Sequence, residues 1–176
     1  MIDANIRSAI EDNEGNIWFG TDGNGVMKYS GDMFISYTEK DGLCSDLIMS
    51  FVESSTGHMW FSTYGSGICS LEDPDRYRIA EQELPNYTVW ASSAASNGDM
   101  YFGTSDGLCI VHKGKVGTMM LEDGLVGARI TSILEDSRGN IWLGAKEGVS
   151  ILKDDTLQNF TADNGGPAPY LSLIHI

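Results

Sequence analysis

The chain has 176 residues, 41% of them apolar and 20% charged, and its 25 Asp+Glu against 11 Lys+Arg leave a net charge of −14. That composition excludes a disordered polymer and is enough to bury a core. The acidity excludes a nucleic-acid binder, which needs basic groups to displace counterions, and excludes an anionic lipid surface as partner. No apolar run is long enough to cross a bilayer, so no direct membrane insertion by this segment is expected.

In chain order, one pattern returns four times: E-D-N-E-G-N-I-W-F-G-T, E-S-S-T-G-H-M-W-F-S-T, A-S-N-G-D-M-Y-F-G-T and E-D-S-R-G-N-I-W-L-G-A. Gly15, Gly57, Gly98 and Gly139 each precede an aromatic residue by three, and those aromatics, Trp18, Trp60, Tyr101 and Trp142, are 42, 41 and 41 residues apart. D-G-L at Asp41–Leu43 returns two periods later at Asp123–Leu125, and a Gly before an apolar residue marks each unit at Gly25, Gly67, Gly107 and Gly148. A repeat of this period is the first fact to account for.

Each unit opens on two short apolar segments around a polar turn, which predicts a β-hairpin. Asp136 is placed to bond the amide two residues on, and Gly139 to take the positive φ of the turn; Asp12 and Gly15 repeat the device. Ser54 is a weaker substitute, and Ala95 leaves the third turn less well specified. A short turn and two further segments complete four strands per unit. Ile141 and Leu143 point one way from their strand and Trp142 the other, so the sheet is apolar on both faces, as stacking between similar sheets requires. The sequence therefore predicts an all-β fold: an open arc of four four-stranded β-propeller blades, over residues 6–43, 48–84, 89–125 and 130–165. A β-solenoid is the alternative, but its repeats are shorter and lack tight hairpins.

The pattern I-x-S-I-L-E-D-S-R-G-N-I-W-L-G, followed by G-V-S-I-L and D-G-L, resembles the two-component regulator propeller repeat, the sensor region of hybrid two-component systems of Bacteroidota. The second unit departs from it, with Leu84-Pro85-Asn86 where D-G-L should fall. The resemblance implies a propeller of about seven blades in the periplasm, in a parent anchored in the inner membrane and carrying a histidine kinase. It also implies an oligosaccharide ligand, with the rest of the sensor and a second protomer as partners. The last six residues, Leu171–Ile176, match codon for codon the translation of a transposase sequencing adapter. They are expected to be foreign, leaving a sensor segment over residues 1–170 whose natural termini are absent.

No catalytic constellation is expected. Histidines and cysteines lack metal-ligand or nucleophile spacing, so neither a metal nor a cofactor is predicted. Asp22-Gly23-Asn24-Gly25 starts like a calcium loop but has Met33 where the closing Glu belongs. Most carboxylates read as turn residues, and Glu11, Glu53 and Glu135 as solvated strand ends. Cys44, Cys69 and Cys109 are odd in number and far apart, predicting no disulfide; Cys69 and Cys109 read as small core fillers. Ligand-binding candidates lie in the turn after each second strand, where the chemistry varies most: Asp22 and Asn24, Tyr64 and Ser66, Asp106, and Lys146. Tyr64 is suited to stack on a sugar. The competing readings are a module of an extracellular polysaccharide-active enzyme and a protein-interaction scaffold.

Overall fold

The computed structural model describes residues 5–71 and 83–166. The six C-terminal residues matching the adapter lie outside this set. Among the described residues the chain forms fifteen strands in four antiparallel sheets. The first sheet is β1 (Ile6–Glu11), β2 (Ile17–Thr21), β3 (Val26–Tyr29) and β4 (Phe34–Tyr37). The second is β5 (Ile48–Glu53), β6 (Met59–Thr63) and β7 (Ile68–Cys69). The third is β8 (Val89–Ala94), β9 (Met100–Thr104), β10 (Gly107–His112) and β11 (Lys115–Met119). The fourth is β12 (Ile130–Glu135), β13 (Ile141–Ala145), β14 (Gly148–Lys153) and β15 (Thr156–Phe160). Within each sheet the strands lie in chain order, each paired with its neighbour.

The sheets stack as blades. β1 packs on β5, β5 on β8 and β8 on β12, and no comparable contact joins β1 to β12, so the arc is open. Burial follows from the stacking. Every residue of β6 and of β9 is buried, because those strands have a blade on either side. In β2, Trp18 is buried against the second blade while Ile17 and Phe19 on the other face are half-buried. In β13 the sides exchange: Ile141 and Leu143 are buried against the third blade, and Trp142 is half-buried. Three apolar clusters, one per blade interface, make up the core. Trp18, Trp60 and Tyr101 fill these interfaces; Trp18 meets Phe61 of the next blade with ring centroids 5.8 Å apart. The expected all-β propeller arc is the fold found, and the fourth strand expected for the second blade lies outside the described residues.

The hairpin turns show why Asp, Gly and Trp recur at fixed offsets. Asp136 accepts from the amides of Arg138 and Asn140 at 2.9 and 3.0 Å, from Asn140 Nδ2 at 2.8 Å, and from the indole Nε1 of Trp142 at 3.0 Å. Asp12 does the same with Glu14, Asn16 and Trp18, whose indole donates at 2.7 Å. One carboxylate thus closes the turn and orients the aromatic six residues on. These bonds, led by the Asn140 side chain and then the Trp142 indole, hold the Asp136 carboxyl far below the ordinary carboxylate range. At Asp12 burial opposes the charge, but the bonds from Trp18, Asn16 and Glu14 outweigh it and its pKa is also lowered. Gly139 takes φ 81° at the turn, a conformation Gly alone adopts without strain. In the third hairpin Asn97 replaces the missing Asp: its Oδ1 accepts the Asp99 amide at 2.9 Å and its Nδ2 donates to the Asp99 carboxylate.

Two expectations are corrected here. Glu53 and Glu135 are not simply solvated. Glu53 Oε2 accepts the amide of Asn13 at 2.9 Å, and Glu135 accepts both the amide and the hydroxyl of Ser96 at 2.7 Å. Each reaches from the end of its own first strand to the hairpin turn of the preceding blade, as an interblade clasp. Cys44 and Cys69 form a disulfide, with Cα atoms 6.1 Å apart. Reading cysteines by spacing along the chain missed this, because stacking brings the connector after the first blade onto the third strand of the second. Cys69 is therefore a bridge, whereas Cys109 remains a buried thiol, its pKa raised to about 12 mainly by burial.

The D-G-L marker is an interblade elbow. Asp41 Oδ2 accepts the Thr38 amide at 2.9 Å, Asp123 Oδ2 accepts the Met120 amide at 2.7 Å, and Asn164 Oδ1 accepts the Thr161 amide at 2.6 Å. Leu43 and Leu125 then plug the core, and Leu84 is buried in the same role. The Leu84-Pro85-Asn86 departure thus keeps the apolar plug of the marker.

Candidate functional site

In the first three blades the turn between the second and third strands is built on a buried threonine; the fourth has Ala145 there. Thr21, Thr63 and Thr104 donate to the carbonyls of Gly25, Gly67 and Gly107 at 2.8, 2.8 and 2.9 Å. Their hydroxyls also accept the amides of Asn24, Ser66 and Asp106. The same turns bond to the next blade: Gly23 and Gly25 donate to the Asp46 carbonyl, and Gly65 and Gly67 to that of Tyr87. Side chains on these turns are therefore carried on fixed backbone.

The expected ligand-binding turns divide into two groups. Asp22, Tyr64 and Lys146 line hollows at the rim. Asp22 shares the first, of about 250 Å³, with Arg7, Leu47, Met49, Tyr64 and Trp90. Lys146 lies in the second with Ser105, Ala128, Arg129 and Glu147. Asn24, Ser66 and Asp106 line neither; Asp106 accepts a bond from Asn86 Nδ2 at 2.7 Å.

In the first hollow Arg7 Nη2 bonds Asp22 Oδ2 at 2.7 Å. Opposite this pair stands an aromatic corner: Tyr64, 52% exposed, meets Trp90 nearly perpendicularly with centroids 5.8 Å apart. Trp90 is held in turn by a bond from Nε1 to Ser105 Oγ at 2.9 Å, and the guanidinium of Arg129 lies 5.2 Å from its ring centre. An exposed ring beside a fixed donor–acceptor pair can take a flat ligand with an apolar face and hydroxyl edges. Among the described residues no group of three or more His, Cys, Asp or Glu side chains is arranged to hold a metal ion.

Trp90, Arg7 and Arg129 were not among the expected site residues. Arg7 and Trp90 share one structural position. The pairing of first and second strands shifts register between Ile6 and Ser8, Ile48 and Ser50, Val89 and Ala91, and Ile130 and Ser132. The residue skipped by the bulge is Arg7, Met49, Trp90 or Thr131. Bulges re-aim side chains, and here the skipped residue faces the rim in the first three blades. The signal was present in the sequence as the varying middle residue of I-R-S, I-M-S, V-W-A and I-T-S, inside the most regular part of the repeat.

Two segments, residues 1–23 and 124–147, match the family model described as two component regulator propeller. Among solved structures, the chain is similar to the extracellular domain of a hybrid two component system of B. thetaiotaomicron, with 24% identity and a TM-score of 0.84, over 94% of this chain and 24% of that one. A second extracellular domain from that organism, also of a hybrid two component system, matches with 22% identity and a TM-score of 0.68, over 96% of this chain and 22% of that one. A virginiamycin B lyase of Staphylococcus aureus, in a catalytically inactive form, shares the fold at 15% identity and a TM-score of 0.67, over 93% of this chain and 57% of that one. The chain thus spans about a quarter of the length of the two component system domains it resembles. No curated protein matches it.

Proposed function

We propose that this chain, which carries two component regulator propeller repeats, is part of the ligand-sensing region of an extracytoplasmic signalling protein and that it binds an oligosaccharide. The observation that carries the ligand class is the rim hollow: an exposed Tyr64 set against Trp90, facing the Arg7–Asp22 pair. Aromatic faces stack on the apolar side of a pyranose, and a carboxylate with a guanidinium beside it accepts from and donates to ring hydroxyls. The Cys44–Cys69 disulfide supports an oxidising compartment such as the periplasm. In the proposed parent, anchored in the inner membrane, the remaining sensor and a second protomer would transmit the bound state to a kinase. The ligand can bias that equilibrium only by its difference in affinity for the two arrangements.

The role assigned is binding, not catalysis; the lyase likeness is one of fold alone. The test is a titration of neutral and charged oligosaccharides into the chain, followed by tryptophan fluorescence. Quenching that saturates and is lost in Trp90→Ala supports the reading. Absence of any saccharide response overturns it.

A further inference from the structure

We propose that the hollows on either side of Trp90 are two subsites for one acidic oligosaccharide, a sugar face resting on Tyr64 and Trp90 and an anionic substituent held by Arg129. This inference rests on the saccharide-binding reading and narrows it. Trp90 is the shared wall: it lines the first hollow, bonds Ser105 of the second, and carries the Arg129 guanidinium of the second over its ring.

The charge distribution supports an anionic group. The chain has only 11 Lys+Arg against 25 Asp+Glu, yet the two hollows are lined by Arg7, Arg129 and Lys146 against only the carboxylates Asp22 and Glu147. The general field of such a chain repels anions, so clustered cations at one rim act locally on something brought against them. The two arginines have different work. Arg7 is engaged by Asp22, and the pair suits neutral hydroxyls. Arg129 makes no ion pair among the described residues. Lying over an indole, its planar fork is pre-ordered for a carboxylate or sulfate. The same stacking keeps its charge beside, not on, the sugar platform.

The test is calorimetric titration of the full chain with three probes: a trigalacturonate, a sulfated chondroitin disaccharide, and a neutral galactose trisaccharide. We expect at least one acidic probe to bind roughly tenfold or more tighter than the neutral one, the worth of one charge-assisted contact. Trigalacturonate carries carboxylates alone and the chondroitin disaccharide a uronate carboxylate plus a sulfate, so an acid preference shown by trigalacturonate assigns a carboxylate, and one confined to the chondroitin probe assigns the sulfate. Raising salt from about 50 to about 500 mM should erode that advantage, since screening tightens over this range. Arg129→Gln should abolish the acid preference, read as the ratio of acidic to neutral affinity, whereas Arg129→Lys should keep part of it. Circular dichroism establishes that each variant is folded. Equal affinity for neutral and acidic probes, or a preference that survives Arg129→Gln, overturns this inference and leaves saccharide binding standing. Failure of every probe to bind overturns both.

Discussion

Glu135 and Ser96 are 39 residues apart in sequence, yet the Glu135 carboxylate takes both the amide and the hydroxyl of Ser96 at 2.7 Å. The fourth blade is thereby clasped to the hairpin of the third, as Glu53 clasps the second to Asn13 of the first. The third blade has Ala94 at this position and makes no such clasp.

Glu135→Ala should lower stability by about 1 kcal/mol, less than a buried charge-assisted bond because the clasp is exposed to solvent. Ser96→Ala should cost less, since its amide bond survives. Urea denaturation of both variants and their double mutant measures the coupling. If the two effects simply add, the hydroxyl bond of the clasp carries no interaction energy.

Acid should unfold the chain through its hairpin aspartates. The pKa values of Asp12 and Asp136 lie below their unfolded value, so their contribution is present above the ordinary Asp pKa and is lost as pH falls through the folded values. Melting temperature should therefore fall below about pH 4. Asp12→Asn with Asp136→Asn should flatten that part of the curve while lowering stability at neutral pH. A melting profile unchanged by the double substitution would remove the aspartates as the acid-sensitive groups.

Gly103 has a close neighbour: a Cβ added there would lie 2.6 Å from the Ile130 carbonyl oxygen and 2.8 Å from its Cγ2. Gly103→Ala should cost about 1–3 kcal/mol by forcing the third and fourth blades apart. Gly31, which has nothing within 4 Å of its added Cβ, serves as the comparison for the close approach, though its φ of 87° adds backbone strain to any substitution. Chemical denaturation of Gly103→Ala that matched the parent would place the blades farther apart than described.

Reducing the Cys44–Cys69 bridge should lower stability by roughly 2–4 kcal/mol, given the 25-residue separation it closes. Cys109 should resist alkylation in the folded state, being buried with its thiol pKa raised to about 12. Mass spectrometry after alkylation should then find no labelled cysteine before denaturation without reductant. Labelling of Cys44 or Cys69 under those conditions would deny the bridge.

The two outer faces of the arc should make the chain self-associate. Ile17 and Phe19 on one end and Trp142 on the other are half-buried where their counterparts in β6 and β9 are buried by neighbouring blades. Sedimentation at rising concentration should show growth beyond the monomer, and a strictly monomeric chain that melts cooperatively would contradict this.

What the sequence made legible was whatever repeats within a unit. Strand order, hairpin turns and the packing of Trp18, Trp60 and Tyr101 all arise from contacts a few residues apart or from period-locked apolar faces. What it hid lies between units. Glu53 meets Asn13, Glu135 meets Ser96, and Cys44 meets Cys69, each pair separated by 25 to 40 residues. Nothing local distinguishes a clasping Glu from a solvated one. At the candidate site, varying turn chemistry pointed to Asp22, Tyr64 and Lys146, which line the hollows, and equally to Asn24, Ser66 and Asp106, which do not. Trp90 and Arg129 lie at the strand entrances beside those turns, where no turn chemistry marks them.

The bulge in each first strand has an evolutionary consequence. Its flanking pairs hold the backbone while the skipped residue is free to be Arg7, Met49, Trp90 or Thr131 without disturbing the ladder on either side. The side chain shown at this slot can then change from blade to blade at little cost to folding.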